Sequence, residues 1–217
     1  MTGTITHVFF GLHGTLARPD RDNPARPYER ALGRYLATRY GGEPAEWMAA
    51  HRRILEDWDS YFADLDLGAE DGLDQMWEGE TRVMRALFRL AGHPCPPPEE
   101  IARLVRDYHY PVASQIDSLY PDAHEALRLI RHQPLALGVI SHRVSGYVAG
   151  VLAGAGVREW FTGPVITPDV MGYCYKDEGY FQLAFAQARA APEACVVVDD
   201  KAACTAIAAA LGARTVL

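Results

Sequence analysis

The stretch Phe9-Phe10-Gly11-Leu12-His13-Gly14-Thr15-Leu16 decides the fold of this chain. The run leading into it, Ile5 to Phe10, is apolar and rich in β-branched and aromatic residues, which is the composition of a strand buried on both faces. Gly11 to Thr15 then form the loop leaving the strand's C-terminal end. Open parallel α/β sheets bind ligands at the carboxyl ends of strands, where the strand order reverses, so this loop lies where a site is expected. Its two glycines and Thr15 permit close approach of the backbone to an anion.

Outward from that loop, the chain divides in two. From Tyr120 onward, strand-like runs at Leu135 to Ile140, Val165 to Thr167, Cys195 to Val198 and Arg214 to Leu217 alternate with helical patterns. These helices are expected over Asp122 to Arg131, Val144 to Ala155, Tyr180 to Ala190 and Ala202 to Leu211. Alternation of this kind predicts right-handed βαβ units and a Rossmann-like, doubly wound, mostly parallel sheet that Ile5 to Phe10 joins from far away in sequence. Residues 1–17 and 119–217 are therefore expected to form an α/β core domain.

Residues 18–118 read as a helical cap domain inserted after the first strand. Its helices are expected at Tyr28 to Tyr40, Pro44 to Asp64, Leu73 to Ala91 and Glu99 to about Ser114. Pro24, Pro27, Gly41-Gly42 and the Pro94 to Pro98 cluster punctuate them. The cap carries Trp47, Trp58 and Trp77 with Tyr28, Tyr35, Tyr40, Tyr61 and Phe62. Aromatic residues of a small bundle are more often core than ligand contacts, but any facing the sheet would line a cleft suited to an aromatic ligand.

Composition bounds the remaining possibilities. The chain has 217 residues, 49% of them hydrophobic, which allows one core domain plus an insertion. A net charge of -7 without long like-charge blocks argues against nucleic acid or an anionic membrane as the main partner. No stretch reaches transmembrane length, and the N-terminus lacks a secretory pattern. Cys95, Cys174, Cys195 and Cys204 form no C-x-x-C pair, so free thiols and a cytoplasmic location are expected.

Four segments in order carry a resemblance that spans nearly the whole chain. They are Phe9 to Leu16; Ser141, closing Gly138-Val139-Ile140-Ser141; Lys176, in Tyr175-Lys176-Asp177-Glu178; and Asp199-Asp200, after Val196-Val197-Val198. The chain resembles the haloacid dehalogenase-like superfamily, in the subclass whose helical cap follows the first motif. That family's first motif reads hydrophobic-hydrophobic-Asp-x-Asp-Gly-Thr-Leu. The resemblance therefore implies that Gly11 stands where a carboxylate nucleophile attacks phosphorus, and His13 where a general acid stands. It further implies that Ser141 and Lys176, with Gly14 and Thr15 in the loop, hold an anion, and that Asp199 and Asp200 bind Mg²⁺, weakened by the missing ligand at 11.

Two family features are altered as well. The customary Lys-Pro-Asp-Pro is Lys176-Asp177-Glu178-Gly179, and Cys204-Thr205 replace a supporting Asn or Asp. The resemblance thus implies a hydrolase fold with a degenerate site, a pseudoenzyme that as a monomer or homodimer binds an anionic or aromatic small molecule or a partner between core and cap. Two other readings stay open: acid–base chemistry at His13 without a phosphoenzyme, and water attacking at a metal held by Asp199-Asp200. Plainer local roles also fit. Asp199-Asp200 and Ser141-His142-Arg143 suit helix caps, and Lys176-Asp177-Glu178 suits an exposed ion cluster.

Overall fold

The computed structural model describes residues 4–172 and 174–217. Strand β1 (His7–Phe10) leads into the motif loop, and all of the inserted helices follow it before the next strand. These are α1 (Pro27–Tyr40), α2 (Pro44–Glu56), α3 (Gly72–Ala91), α4 (Pro98–Asp107) and α5 (His109–Ala113). The remainder alternates: α6 (Pro121–Ile130), β2 (Ala136–Ile140), α7 (Ser145–Gly154), β3 (Val165–Ile166), α8 (Pro168–Met171), α9 (Glu178–Ala188), β4 (Cys195–Val198), α10 (Ala202–Ala210) and β5 (Arg214–Val216).

The five strands order as β3-β2-β1-β4-β5, all parallel, with Phe10 opposite Val139 on one side and Val198 on the other. The expected Rossmann-like sheet is present. Its strand order reverses beside β1, which brings the motif loop, the end of β2 and the end of β4 together. Strand alternation then sorts the side chains by face. Val8, Phe10, Leu137 and Val139 pack in one apolar cluster with α7 and the inserted helices, while Phe9, Ile166 and Val197 pack with α9 and α10.

The chain leaves and returns through a short paired crossing. Arg18 N–H donates to Ser118 O and Tyr120 N–H to Leu16 O, each at about the ordinary amide distance. Beyond it, α1 begins at Pro27, where a proline's missing N–H is harmless, and the Asp20 carboxylate accepts from the Tyr28 and Glu29 N–H groups at 2.9 and 3.2 Å. Trp47 and Phe88, both buried, meet edge to face at 5.0 Å and anchor the packing of α2 on α3. Burial of each such ring is worth roughly 2–3 kcal/mol.

Two expected helices are shorter than their apolar patterns. The Pro44 to Asp64 helix stops at Glu56 and passes into a 3₁₀ turn, Trp58–Tyr61, because the Ser60 hydroxyl bonds the Asp57 carbonyl and carboxylate, both at 2.8 Å. The Glu99 to Ser114 helix breaks at Tyr108, because Pro111 has no N–H to donate to Asp107, four residues back. The first strand is also shorter than expected, starting at His7 rather than Ile5. All four cysteines are free thiols, with Cys95 exposed and the others buried. Among the described residues, no helix is long and apolar enough to cross a membrane.

Inserted helices and sheet layer meet where α5 lies on α7. The contact is close because α7 presents glycine: a Cβ built on Gly150 would stand 2.7 Å from Ala113 Cβ and 3.0 Å from Tyr110 O. On the same helix, a Cβ on Gly146 would find nothing nearer than 3.7 Å. The two positions therefore give opposite predictions. Gly150→Ala forces α5 away and should destabilise by about 1–3 kcal/mol in urea unfolding, whereas Gly146→Ala should be neutral or stabilising by up to about 1 kcal/mol.

Candidate functional site

The loop after β1 is packed tightly against the end of β4. Gly14 adopts φ +84°, a conformation suited to glycine. A Cβ there would also collide with the Asp200 carboxylate, so no side chain fits between them. Thr15 fixes the contact from both ends: its hydroxyl donates to Asp200 Oδ1 at 3.3 Å and accepts the Asp200 N–H at 3.1 Å. At Gly11 the surroundings are equally close, since a Cβ would lie 2.7 Å from Thr15 Oγ1 and 2.8 Å from Asp199 Oδ2.

Lys176 and Asp199 form a buried ion pair. Lys176 Nζ donates to Asp199 Oδ2 at 2.7 Å, with the two side chains only 6% and 2% exposed. Asp199 Oδ1 accepts the Lys201 N–H at 3.0 Å just before α10. Asp199 therefore does not cap α10: the N–H it accepts belongs to Lys201, the residue before the helix, and α10 has no side-chain cap. By contrast, Lys176-Asp177-Glu178 is not an exposed ion cluster: Lys176 is buried, and the Asp177 carboxylate caps α9 by accepting the Tyr180 N–H at 3.0 Å.

Ser141, also buried, accepts the Arg143 N–H on its hydroxyl at 3.0 Å, and its carbonyl accepts from Tyr180 Oη at 3.0 Å. The hydroxyl holds the turn into α7, whereas the Ser145 N–H in the first turn of α7 is taken by Asp169 at 2.8 Å. His142 Nε2 accepts the Lys176 N–H at 3.2 Å. Burial, with the positive charges of Lys176 and Lys201, pushes the His142 ring down to about 4. Gly11, His13, Gly14, Ser141, Lys176, Asp199 and Asp200 therefore all border one cleft of about 470 Å³, with Thr15 bracing its rim.

His13 faces a second space. Its Nε2 lies 2.9 Å from Tyr147 Oη, and its ring meets Tyr147 edge-on at 5.4 Å. Both residues line a cavity of about 470 Å³ beneath the inserted helices. Tyr28, Trp58 and Tyr108 also line it, whereas Trp47 and Trp77 lie in the core, so the cap aromatics divide between packing and cleft. Burial raises the phenol pKa of Tyr28, Tyr108 and Tyr147, keeping all three protonated.

Magnesium takes one or two carboxylates with waters and substrate phosphate. Here Asp199 has both oxygens engaged and Asp200 is bonded to Thr15. Among the described residues, no three His, Cys, Asp or Glu side chains group as a metal set.

The profile of haloacid dehalogenase-like hydrolases matches residues 1–212. The chain belongs to that family. Solved haloacid dehalogenase-like structures share its fold. The L-2-haloacid dehalogenase of Xanthobacter autotrophicus superposes with TM-score 0.57 at 16% identity, covering 98% of this chain and 76% of the other. A putative HAD-hydrolase of Bacillus subtilis bound to magnesium gives 0.60 at 14%, covering 98% and 86%. The 2-haloacid dehalogenase of Pseudomonas syringae gives 0.58 at 20%, covering 98% and 85%. No curated protein matches the sequence.

Sequence reasoning named His13, Tyr28 and Trp58 of the second cavity but missed Glu80, Tyr108, His109, Arg143 and Tyr147. Arg143 and Tyr147 follow Ser141 by two and six positions, so their nearness to the motif was available. Glu80 left a sharper signal, a carboxylate on the apolar stripe of α3 between Met76, Val83 and Met84. His109, in the five-residue α5, left none.

Two predictions follow from this geometry. Lys176→Met strands a buried carboxylate and should destabilise by about 3–5 kcal/mol in urea unfolding, with part of the loss recovered by adding Asp199→Leu. Burial and the charge of Arg143 hold the His109 ring down at about 3, against 6.5 in the unfolded chain. The unfolded state then binds the extra proton, so stability falls as pH drops below 6.5 and continues to fall toward 3. His109→Gln should flatten the pH dependence of the urea midpoint across that window.

Proposed function

We propose that this haloacid dehalogenase-like protein does not form the family's aspartyl-phosphate and instead binds a small organic molecule between sheet and inserted helices. One observation carries the reading. Gly11 offers no attacking atom at the position the first motif assigns to the nucleophile, and a Cβ there would press on Thr15 Oγ1 and Asp199 Oδ2, so that these side chains would have to shift to admit one. Loss of a nucleophile removes about 10⁶ in rate in a well-studied protease, roughly 8 kcal/mol of transition-state stabilisation.

The anion-holding and metal-holding roles weaken for the same reason. Lys176 is paired to Asp199, so a phosphoryl group entering the motif cleft would have to compete with a buried carboxylate for it. Magnesium would meet one engaged carboxylate and one bonded to Thr15, which supports a weakened site at Asp199 and Asp200. Of the two ligand classes expected, the anionic one rests on Lys176 and Ser141. The aromatic one rests on the cavity of Tyr28, Trp58, Tyr108 and Tyr147, and that side is the better supplied.

The test is p-nitrophenyl phosphate with Mg²⁺, followed by colour release and intact mass. The purified protein should stay at buffer background with no phosphoryl adduct. Gly11→Asp should not restore turnover and should lower the unfolding midpoint, because the new side chain displaces Thr15 and Asp199. Mg²⁺-dependent turnover by the unaltered protein, retained through stringent purification, would overturn the reading.

A further inference from the structure

We propose that the cavity beneath the inserted helices binds a small organic ammonium compound, whose cationic head is received by the Glu80 carboxyl and the His109 ring. The proposal rests on the reading that this cleft takes a small organic ligand, and it names the chemical class.

Two acceptors in the cavity wall are unused. His109 is 6% exposed, and neither ring nitrogen has a hydrogen-bond partner among the described residues. A buried imidazole without partners forfeits about 1–3 kcal/mol for each unsatisfied group, so its persistence points to a group that the site is shaped to receive. Glu80 also makes no hydrogen bond or ion pair among the described residues. Burial raises its pKa, outweighing the opposing charge of Arg143. Both residues line the cavity, and both also line an adjoining space of about 560 Å³, so they stand in the wall between the two.

The surroundings suit a positive charge. Tyr28, Trp58, Tyr108 and Tyr147 present aromatic rings, whose negative faces attract ammonium groups. Asp20, Glu56, Asp57 and Asp59 join Glu80 on the lining, five carboxyls against the single guanidinium of Arg143. Glu56, Asp57 and Asp59 are exposed and set the sign of the field at the mouth. His109, held neutral, keeps a lone pair for an ammonium N–H. Arg143 lies over the Tyr147 ring at 5.6 Å, so one of these aromatic faces already receives a cation. The competing occupant is a carboxylate paired with Arg143. The acid-rich lining disfavours it.

The experiment is calorimetric titration with three probes of similar size and different charge: phenethylammonium, 3-phenylpropionate and 2-phenylethanol. Phenethylammonium should bind about tenfold or more tightly than either of the others. Glu80→Gln should abolish most of that preference, and His109→Phe, which keeps a ring of similar size, should weaken the amine several-fold. The second variant carries the test if the first fails to fold. Equal affinity for all three probes, or an amine affinity unmoved by both variants, overturns the proposal. Preferred binding of 3-phenylpropionate overturns it and leaves the small-molecule reading standing. Binding of none at millimolar concentration overturns both.

Discussion

The ion pair of Lys176 with Asp199 organises the chemical end of this protein. Each partner comes from a loop at the carboxyl edge of the sheet, and neither charge would be tolerated there alone. Once formed, the pair sets the position of Asp199, and Asp199 with Thr15 sets how much room remains beside Gly11. Asp200 is drawn against Gly14 by the same threonine. The loops after β1 and β4 and the segment carrying Lys176 are therefore coupled through short polar contacts. Thr15, Asp199 and Asp200 thus crowd Gly11 and Gly14, and the function proposed above rests on that crowding.

Much of the fold was legible because its signals are strong and local. A buried parallel strand leaves a continuous apolar run, and β1, β2 and β4 each show one; the helices between them show caps and punctuation. Boundaries failed where a local hydrogen bond outbid the apolar pattern, as at Ser60, or where a single ring removed a donor, as at Pro111. The motif positions were legible through their order along the chain, and the structure gathers them around one cleft. What they do to one another was not. Nothing in the spacing of Lys176 and Asp199 announces that they pair, because that contact is decided by how two distant loops pack.

The second cavity was the least legible part. Its walls come from α1, α2, α3, α5, α7 and the turn at Trp58, so no short stretch of sequence contains its pattern. Glu80 is instructive here. A carboxylate on an apolar helical stripe is locally inconsistent, and such inconsistencies gather at functional positions because a packed core would otherwise exclude them. His109 shows the opposite case, a residue ordinary in sequence whose meaning comes from having both nitrogens buried without hydrogen-bond partners among the described residues.

The glycine contact between α5 and α7 bears on how anything reaches that cavity. His109 sits on α5 and Tyr147 on α7, and the two helices touch backbone to backbone at Gly150. Interfaces that close slide poorly, since any relative motion must first open a gap that nothing fills. One wall of the cleft therefore behaves as a single body with the sheet. On the proposal that the cleft takes a small organic ligand, entry falls to the side of the exposed acids Glu56, Asp57 and Asp59, which line the cavity beside Trp58. A ligand of that kind would meet a nearly fixed wall and lose less of its binding energy to ordering the protein around it.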